Sequence, residues 1–304
     1  MKKAFALMMC VLLLFSSCSK KEEGKGSIVI EDDLGRRIEM EAPERVAALT
    51  GSLAQIWMLA GGSVAAAADD AWVDLALELD ESTVNLGKLN RISLEKLLEA
   101  DPDFIIATPN LNQDVSWKES FEQAGIAIAY FEVYSFSDYL GLLKLFTGIT
   151  GREDLYRKNG LDVKESIDKT LALNRNDSPK VLSLLASSAY LKAKNSEGSV
   201  LGGMLRDLGC VNIADSDESL PENLSIEYIL KEDPEYIFIT QRGDDMEGMK
   251  RNVEAYFKDH PAWSGLSAVR NGRVYYLDKR LFNLKPNDRW GEAYAILQEI
   301  LLNE

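Results

Sequence analysis

The chain has 304 residues and is acidic, with 49 aspartates and glutamates against 34 lysines and arginines and a net charge of −15. A protein of this charge repels nucleic acid, so we predict no nucleic-acid partner. A single histidine, His260, disfavours a site for a free transition-metal ion, because such sites use several histidines together with carboxylates. The length suits two domains of ordinary size.

The first residues have the pattern of an export signal. Lys2 and Lys3 precede an apolar run from Ala4 to Phe15, which is too short to span a bilayer comfortably. The sequence Phe15-Ser16-Ser17-Cys18 resembles the lipobox of bacterial lipoproteins. That resemblance implies cleavage before Cys18 and lipidation of its thiol and new amino group.

The N-terminal pattern predicts where the mature protein resides. We expect a lipoprotein signal peptide over residues 1–17 and a lipidated, flexible tether over residues 18–27, which holds the protein outside the cytoplasm on the bacterial cell membrane. The alternative is an ordinary secretory signal with an incidental cysteine. With Cys10 cleaved off and Cys18 lipidated, Cys210 has no disulfide partner within the chain and is expected to be a small buried residue.

The predicted elements after the tether alternate between strands and helices. Residues 28–40 are expected to form a hairpin, residues 45–50 a strand, and the segment through Gln55 to Ala60 a helix that ends at two glycines. The second half begins the same order again with a strand at residues 180–185. This alternation predicts parallel α/β sheets.

One segment of the chain occurs twice. Residues 92–108 match residues 224–240 without a gap, and each copy has a serine, a short helical stretch, an Asp-Pro pair and a continuous apolar run. Ser93 and Ser225 are predicted N-caps, and the residue before each proline is pushed out of the helical region. The apolar runs suit parallel strands covered on both faces. The chain is therefore expected to contain two copies of one lobe.

A helical connector is predicted between the two lobes. Apolar residues from Tyr156 to Leu171 recur at helical spacing. We predict an N-terminal α/β lobe at 28–137, a helical hinge at 138–174 and a C-terminal α/β lobe at 175–304. The fold class is α/β, with two doubly wound parallel-sheet lobes joined by one long α-helix and a ligand cleft between them. A helical hinge resists bending, so the cleft is expected to be nearly preformed.

Several motifs occur in order along the chain, namely Arg45-Val46, Leu94 to Asp103, Met204 to Gly209 with Asn212-Ile213, His260 to Trp263, and Ala268 to Tyr275. In this order they resemble the binding proteins that serve iron-siderophore, haem and cobalamin importers. The resemblance extends from about Ile28 to the C-terminus. It implies two lobes on one helical hinge, a ligand between them, and delivery to an ABC permease dimer with a cytoplasmic ATPase.

The resemblance also implies permease-docking residues. In that family a glutamate on each lobe docks with arginines of the permease, and the matching positions here are Glu95 and Glu227. Each also follows a predicted serine cap, where a carboxylate stabilises the positive helix end by about 0.3 to 1 kcal/mol. The two roles are compatible.

The ligand is expected beyond the carboxyl ends of the strands, as in other open α/β sheets. Cationic and aromatic side chains are concentrated in these segments, although any one of them could be simply solvated. Together they predict an anionic, partly planar cargo, such as a ferric catecholate or carboxylate siderophore. The predicted ligand-binding residues are Trp72, Lys88, Asn110, Tyr190, Lys192, Arg242, Arg280, Phe282 and Arg289, with Lys194 and Lys285 in the same segments.

Other functions remain as alternatives. A corrinoid or haem cargo fits the same importer class, and Tyr190 is a possible haem ligand, whereas His260 is expected to be structural. An α/β enzyme of chelatase-like fold is the distant alternative, because no nucleophile elbow, phosphate-binding loop or dinucleotide motif is present. We predict no enzyme activity, no protein-bound cofactor or metal site, and a monomer that carries a small-molecule metal chelate.

Overall fold

The structure is a computed structural model that describes residues 27–173, 177–216, 220 and 224–303. The predicted signal peptide, most of the tether and the predicted lipidation site Cys18 lie outside the described residues. Within these residues, no helix combines the length and apolar character needed to cross a membrane.

The strands of the described residues form one hairpin and two separate sheets. Their bounds are β1 Ile28–Glu31, β2 Arg37–Met40, β3 Val46–Ala48, β4 Val64–Ala67, β5 Val84–Asn85, β6 Phe104–Ala107, β7 Ala127–Tyr130, β8 Lys180–Ala186, β9 Leu191–Ala193, β10 Val211–Asn212, β11 Tyr236–Gln241 and β12 Val274–Leu277.

The helices cover the two sheets and connect them. Their bounds are α1 Gly51–Leu59, α2 Asp70–Val73, α3 Leu94–Glu99, α4 Asn112–Ser116, α5 Lys118–Gln123, α6 Phe136–Thr150, α7 Glu153–Tyr156, α8 Asp162–Leu171, α9 Val200–Asp207, α10 Ile226–Glu232, α11 Met246–Asp259, α12 Ser267–Arg270, α13 Lys279–Phe282 and α14 Trp290–Leu302.

Lobe one contains the hairpin β1–β2 and a parallel sheet with strand order β5-β4-β3-β6-β7. Its central strands β3 and β6 are buried along their whole length. Because both faces are covered, these strands are continuous apolar runs rather than alternating ones. The carboxyl ends of all five strands meet at one edge of the sheet.

Lobe two contains a parallel sheet with strand order β10-β8-β11-β12, and β9 pairs antiparallel with β8. The strand β9 was not predicted from the sequence. The hydroxyl of Ser187 accepts the amides of Ala189 and Tyr190, and this tight turn sends the chain back along β8. Two predicted ligand-binding residues, Tyr190 and Lys192, therefore lie on a hairpin rather than a free loop.

The predicted repeat is confirmed in detail. The hydroxyls of Ser93 and Ser225 cap α3 and α10 by accepting the amide three residues later. Asp101 and Asp233, each before its proline, have φ angles of 49° and 44°. Two non-glycine residues in this costly conformation at equivalent positions show that the two lobes use the same helix-turn-strand unit.

The bridge between the lobes begins with α6, which ends at Gly151 with φ 71°. The chain then runs as one helical rod from α7 through a π-helical turn, Arg157–Leu161, into α8. The Tyr139 hydroxyl donates to the Asn159 carbonyl, and the Asn159 amide donates to the Leu59 carbonyl of lobe one. On the other side α8 packs against α14 of lobe two. One hydrophobic core therefore extends from lobe one through the bridge into lobe two.

Candidate functional site

The cleft between the lobes lies at the carboxyl ends of the lobe-one strands, where the strand-end rule places a ligand. In this structure it encloses about 90 Å³. Its lining comes from both lobes and is Thr50, Ser52, Leu53, Asp70, Leu89, Thr108, Phe131 and Val133 of lobe one with Leu284 and Lys285 of lobe two.

This volume differs from the nearly preformed cleft that the sequence predicted. Pockets that hold drug-sized ligands usually measure roughly 300 to 1,000 Å³. Contacts between the lobes account for the difference. The buried Asn287 amide donates to the Ser52 carbonyl and to the Gln55 side chain, at 3.2 and 2.7 Å.

Asp70 places a carboxyl group in the cleft. It is the first residue of α2, and both of its carboxylate oxygens lie 2.9 Å from the Gly51 amide, which begins α1. The positive end of α1 and this hydrogen bond favour the carboxylate form. Burial outweighs them and raises the pKa of Asp70 to about 6. The cleft therefore contains a carboxyl group that changes charge near neutral pH.

Lys285 is the cation at the base of the cleft. Its ammonium group lies 5.8 Å from the ring centre of Tyr134 in lobe one. Burial lowers the pKa of Lys285, while the negative charges of Asp70 and Glu132 act in the opposite direction. In the part of the chain that the structure describes, the ammonium has no hydrogen bond or ion pair with a protein group. Its charged form is desolvated and lacks an ion-pair partner among the described residues, so this form is unfavourable unless an anion binds beside it.

Lys279 joins the lobes near the rim of the cleft. Its ammonium group lies 2.6 Å from a carboxylate oxygen of Asp74 in lobe one and 2.5 Å from one of Asp244 in lobe two. Lys88 of lobe one lies close enough to help lower the pKa of Asp244, although the hydrogen bond from Lys279 is the largest cause.

The predicted ligand residues of lobe one all lie at strand ends on the cleft side. Trp72 is partly buried on α2, between Asp70 and Asp74. Lys88 is exposed after β5, and its charge reaches Asp244 across the cleft. The exposed Asn110 follows β6 and hydrogen-bonds to Tyr134. None of these three residues lines the enclosed cavity, and their contact with a ligand stays a prediction.

The predicted ligand residues of lobe two are more dispersed. Tyr190 and Lys192 share the β8–β9 hairpin, with the ammonium group 5.9 Å from the ring centre, and Arg242 is exposed just after β11. Arg280 is exposed on α13, beside Lys279. Lys194 is partly buried after β9.

Two predicted ligand residues have other contacts in this structure. Phe282 is 3% exposed and packs in the core, which leaves little of its ring for a ligand. Arg289 is held by a bidentate ion pair with Glu292 at the start of α14, at 2.7 Å.

The sequence prediction missed four charged residues in or near the cleft. Asp70, Asp74 and Asp244 are acidic, whereas the predicted ligand residues were mainly cations and aromatic rings at the strand ends. Lys279 lies shortly after the end of β12, but the carboxylates of its ion pairs are 205 and 35 positions away in the sequence. A search for every charged residue after a strand would have included all four.

The remaining chemistry-bearing residues lie away from the cleft or are packed. His260 Nδ1 donates a hydrogen bond to the Tyr256 carbonyl at 2.9 Å, and its ring packs on the Tyr256 ring, which fits the structural role that we predicted. Cys210 is buried, as expected. No group of three or more histidine, cysteine or acidic side chains suited to a metal ion occurs among the residues described.

The fold and the cleft define a two-lobed α/β binding protein. The family model described as "Periplasmic binding protein" matches residues 46–281, and the chain belongs to this family. It is 25% identical over 291 residues to the Fe(3+)-citrate-binding protein YfmC of Bacillus subtilis, covering 91% of this chain and 90% of that protein. It is 26% identical over 266 residues to the ferric-anguibactin-binding protein FatB of Vibrio anguillarum, covering 83% and 80%.

A solved structure shows the same fold. The haem complex of IsdE from S. aureus superposes with a TM-score of 0.71 at 16% identity, covering 85% of this chain and 99% of that chain. This similarity confirms the predicted two-lobed architecture.

Proposed function

We propose that the protein is the extracytoplasmic substrate-binding component of an ABC importer and that its cargo is an anionic iron(III) chelate of the carboxylate type. The membership in the periplasmic binding protein family supports the role in substrate binding. The observation that favours an anionic cargo is Lys285 in the cleft, whose desolvated ammonium has no hydrogen-bond or ion-pair partner among the described residues. The relatives that bind ferric citrate and ferric anguibactin support iron as the metal.

The lining of the cleft suits a carboxylate group. Hydroxyl groups of Thr50, Ser52 and Thr108 stand at its wall as hydrogen-bond donors, and Lys285 supplies the positive charge. Asp70 adjoins this position, and an arriving carboxylate would favour its protonated form. The carboxyl group would then donate a hydrogen bond to the cargo instead of repelling it.

Calorimetric titration with ferric citrate tests this function. Wild-type protein should bind it stoichiometrically without turnover, and Lys285→Gln should lower the affinity by about 10- to 150-fold, the range for a charge-assisted bond with a buried partner. Arg251→Gln, which removes an exposed charge on α11, should bind as the wild type does.

The stability of Lys285→Gln separates binding from a structural role. Because the change removes an unpaired desolvated charge, the variant should unfold at an equal or higher urea concentration than the wild type. Unchanged ferric citrate affinity in a folded Lys285→Gln variant would refute the role of this lysine. Tight binding of cyanocobalamin or haemin, with no binding of ferric citrate, would overturn the proposed cargo.

We also propose that the protein is anchored by lipid at Cys18, through the tether at 18–27. The lipobox-like sequence supports this, as does the similarity to the putative ABC transporter substrate-binding lipoprotein YhfQ of Bacillus subtilis. The mass of the mature N-terminal peptide is the direct test. A peptide that begins at Cys18 with thioether-linked and amide-linked acyl chains is expected, and an unmodified cysteine would exclude the anchor.

A further inference from the structure

The ion pairs of Lys279 tie the two lobes together. Lys279 begins α13 in lobe two, and its ammonium group reaches across the cleft to Asp74, just after α2 in lobe one. Asp244, in the segment after β11, holds the same ammonium from the side of lobe two. Among the ion pairs between described residues, the pair Lys279–Asp74 is the one that joins the lobes.

Lys279 forms a stronger ion pair with Asp74 than with Asp244, because the pair with Asp74 is less exposed to water. The side chains of Lys279 and Asp74 are 19% and 20% exposed, whereas that of Asp244 is 70% exposed. Water screens the exposed pair more than the sheltered one. Burial lowers the pKa of Lys279, but its hydrogen bonds to the two carboxylates outweigh burial and raise the pKa above its ordinary value. Lys279 therefore stays charged at neutral pH.

The size of the cleft makes this pair an obstacle to a ligand. The cleft encloses about 90 Å³, and a cavity of about 150 Å³ is already filled by one benzene molecule. An iron chelate contains several groups of that size, so the lobes must separate before it enters or leaves. Separation takes Asp74 away from Lys279, while Asp244 moves together with Lys279 because both belong to lobe two.

We propose that Lys279 and Asp74 form a latch between the lobes, which stabilises their closed arrangement and slows the exchange of the ligand. The ligand part of this proposal rests on the proposed function. Asp244 is the carboxylate that keeps Lys279 in place when the latch opens. Asn287 forms a second contact between the lobes through its hydrogen bonds to Ser52 and Gln55. This contact limits how far the lobes separate.

The first test measures the lobes without any ligand. Spin labels at Glu81→Cys in lobe one and Glu254→Cys in lobe two report the distance between the lobes, and both sites are exposed. Asp74→Asn should shift the distance distribution to longer and broader values, and Lys279→Gln should do the same. The double variant should match the single ones, because one ion pair is lost in each case. Glu78→Gln, an exposed carboxylate in the same segment with the same change in charge, should leave the distribution unchanged.

The second test measures the release of ferric citrate by stopped-flow tryptophan fluorescence. Asp74→Asn and Lys279→Gln should release it about three- to tenfold faster than the wild type, with Glu78→Gln equal to the wild type. Distances and release rates of both latch variants equal to those of Glu78→Gln would overturn the latch. If ferric citrate binds to none of the proteins, the proposed cargo fails, and the distance measurement still decides on the latch.

Discussion

Two charged residues of this protein, the buried Asp70 and the partly buried Lys285, lie where stability alone would not place them. Lys285 is desolvated and has no ion-pair partner among the described residues, and Asp70 has a pKa of about 6 although a helix end and an amide stabilise its anion. They face the same cleft and come from different lobes. Residues that violate a local stability rule are expected at functional sites. Asp114 is a third ionisable residue whose pKa is raised by burial, and it lies outside the lining of the cleft. The effect of burial on its charge can therefore be measured apart from ligand binding.

The stability of the protein should depend on pH through Asp114. Its side chain is fully buried, one carboxylate oxygen lacks a hydrogen bond, and the other lies 3.4 Å from the Thr108 amide. Burial raises the pKa of Asp114 to about 7, above its value in the unfolded chain. This residue therefore stabilises the fold fully at acidic pH, and the stabilisation is lost as the pH rises from about 4 through about 7.

The variant Asp114→Asn should remove this dependence. In urea unfolding between pH 4 and pH 8, the wild type should lose stability relative to the variant by up to about 1.4 kcal/mol per pH unit across that window. The exposed control Glu81→Gln should follow the wild-type profile. Parallel profiles for wild type and Asp114→Asn would show that Asp114 is ionised in the fold throughout.

At the scale of the elements, sequence predicted best what depends on neighbours in the chain. Serine caps, the Asp-Pro turns and the continuous apolar strands are local, and the structure confirms them at Ser93 and Ser225 alike. The hairpin β8–β9 was missed because its alternation extends over three residues. The break at Gly151 was missed because the amphipathic pattern continues on either side of it. The ion pairs of Lys279 were not predictable, since its partners are fixed only when both lobes have folded.

The helices α1 and α2, which both contribute residues to the lining of the cleft, pack closely against each other. A methyl group on Gly51 would lie 2.6 Å from the Ala71 nitrogen and 2.8 Å from its α-carbon. Because these are backbone atoms, they cannot move away cheaply, and Gly51→Ala should lower the free energy of unfolding by about 1 to 3 kcal/mol. The matched variant Gly141→Ala, on α6 with open space around the new methyl group, should raise it by roughly 0.5 to 1 kcal/mol. Urea unfolding of both variants checks the contrast, and a loss of stability in neither would mean that α1 and α2 are less tightly packed.

At the scale of the molecule, one core joins the lobes through the bridge, and the repeat gives the lobes equivalent outer helices. The continuous core through α6, α8 and α14 limits the movement of the lobes to a hinge opening at the cleft. The closed arrangement of the lobes sets one defined spacing of their surface residues. Glu95 and Glu227 hold equivalent positions in the first turns of α3 and α10, and both are exposed. A pair of like charges at fixed spacing suits recognition by a permease with two equivalent subunits.

This arrangement predicts that transport and ligand binding can be separated by mutation. Reversing both charges in Glu95→Lys/Glu227→Lys should abolish cellular uptake of radioactive ferric citrate, because the lysines would face the arginines expected on the permease. The calorimetric affinity should stay within about twofold of the wild type, since neither residue lines the cleft. Loss of the helix-end interaction should cost about 0.3 to 1 kcal/mol at each site, too little to unfold the protein.

The control Glu81→Lys/Glu254→Lys changes the net charge equally at exposed sites on both lobes and should retain uptake. Equal loss of uptake in the two double variants would trace the effect to net charge, and normal uptake in the first would exclude these glutamates from docking.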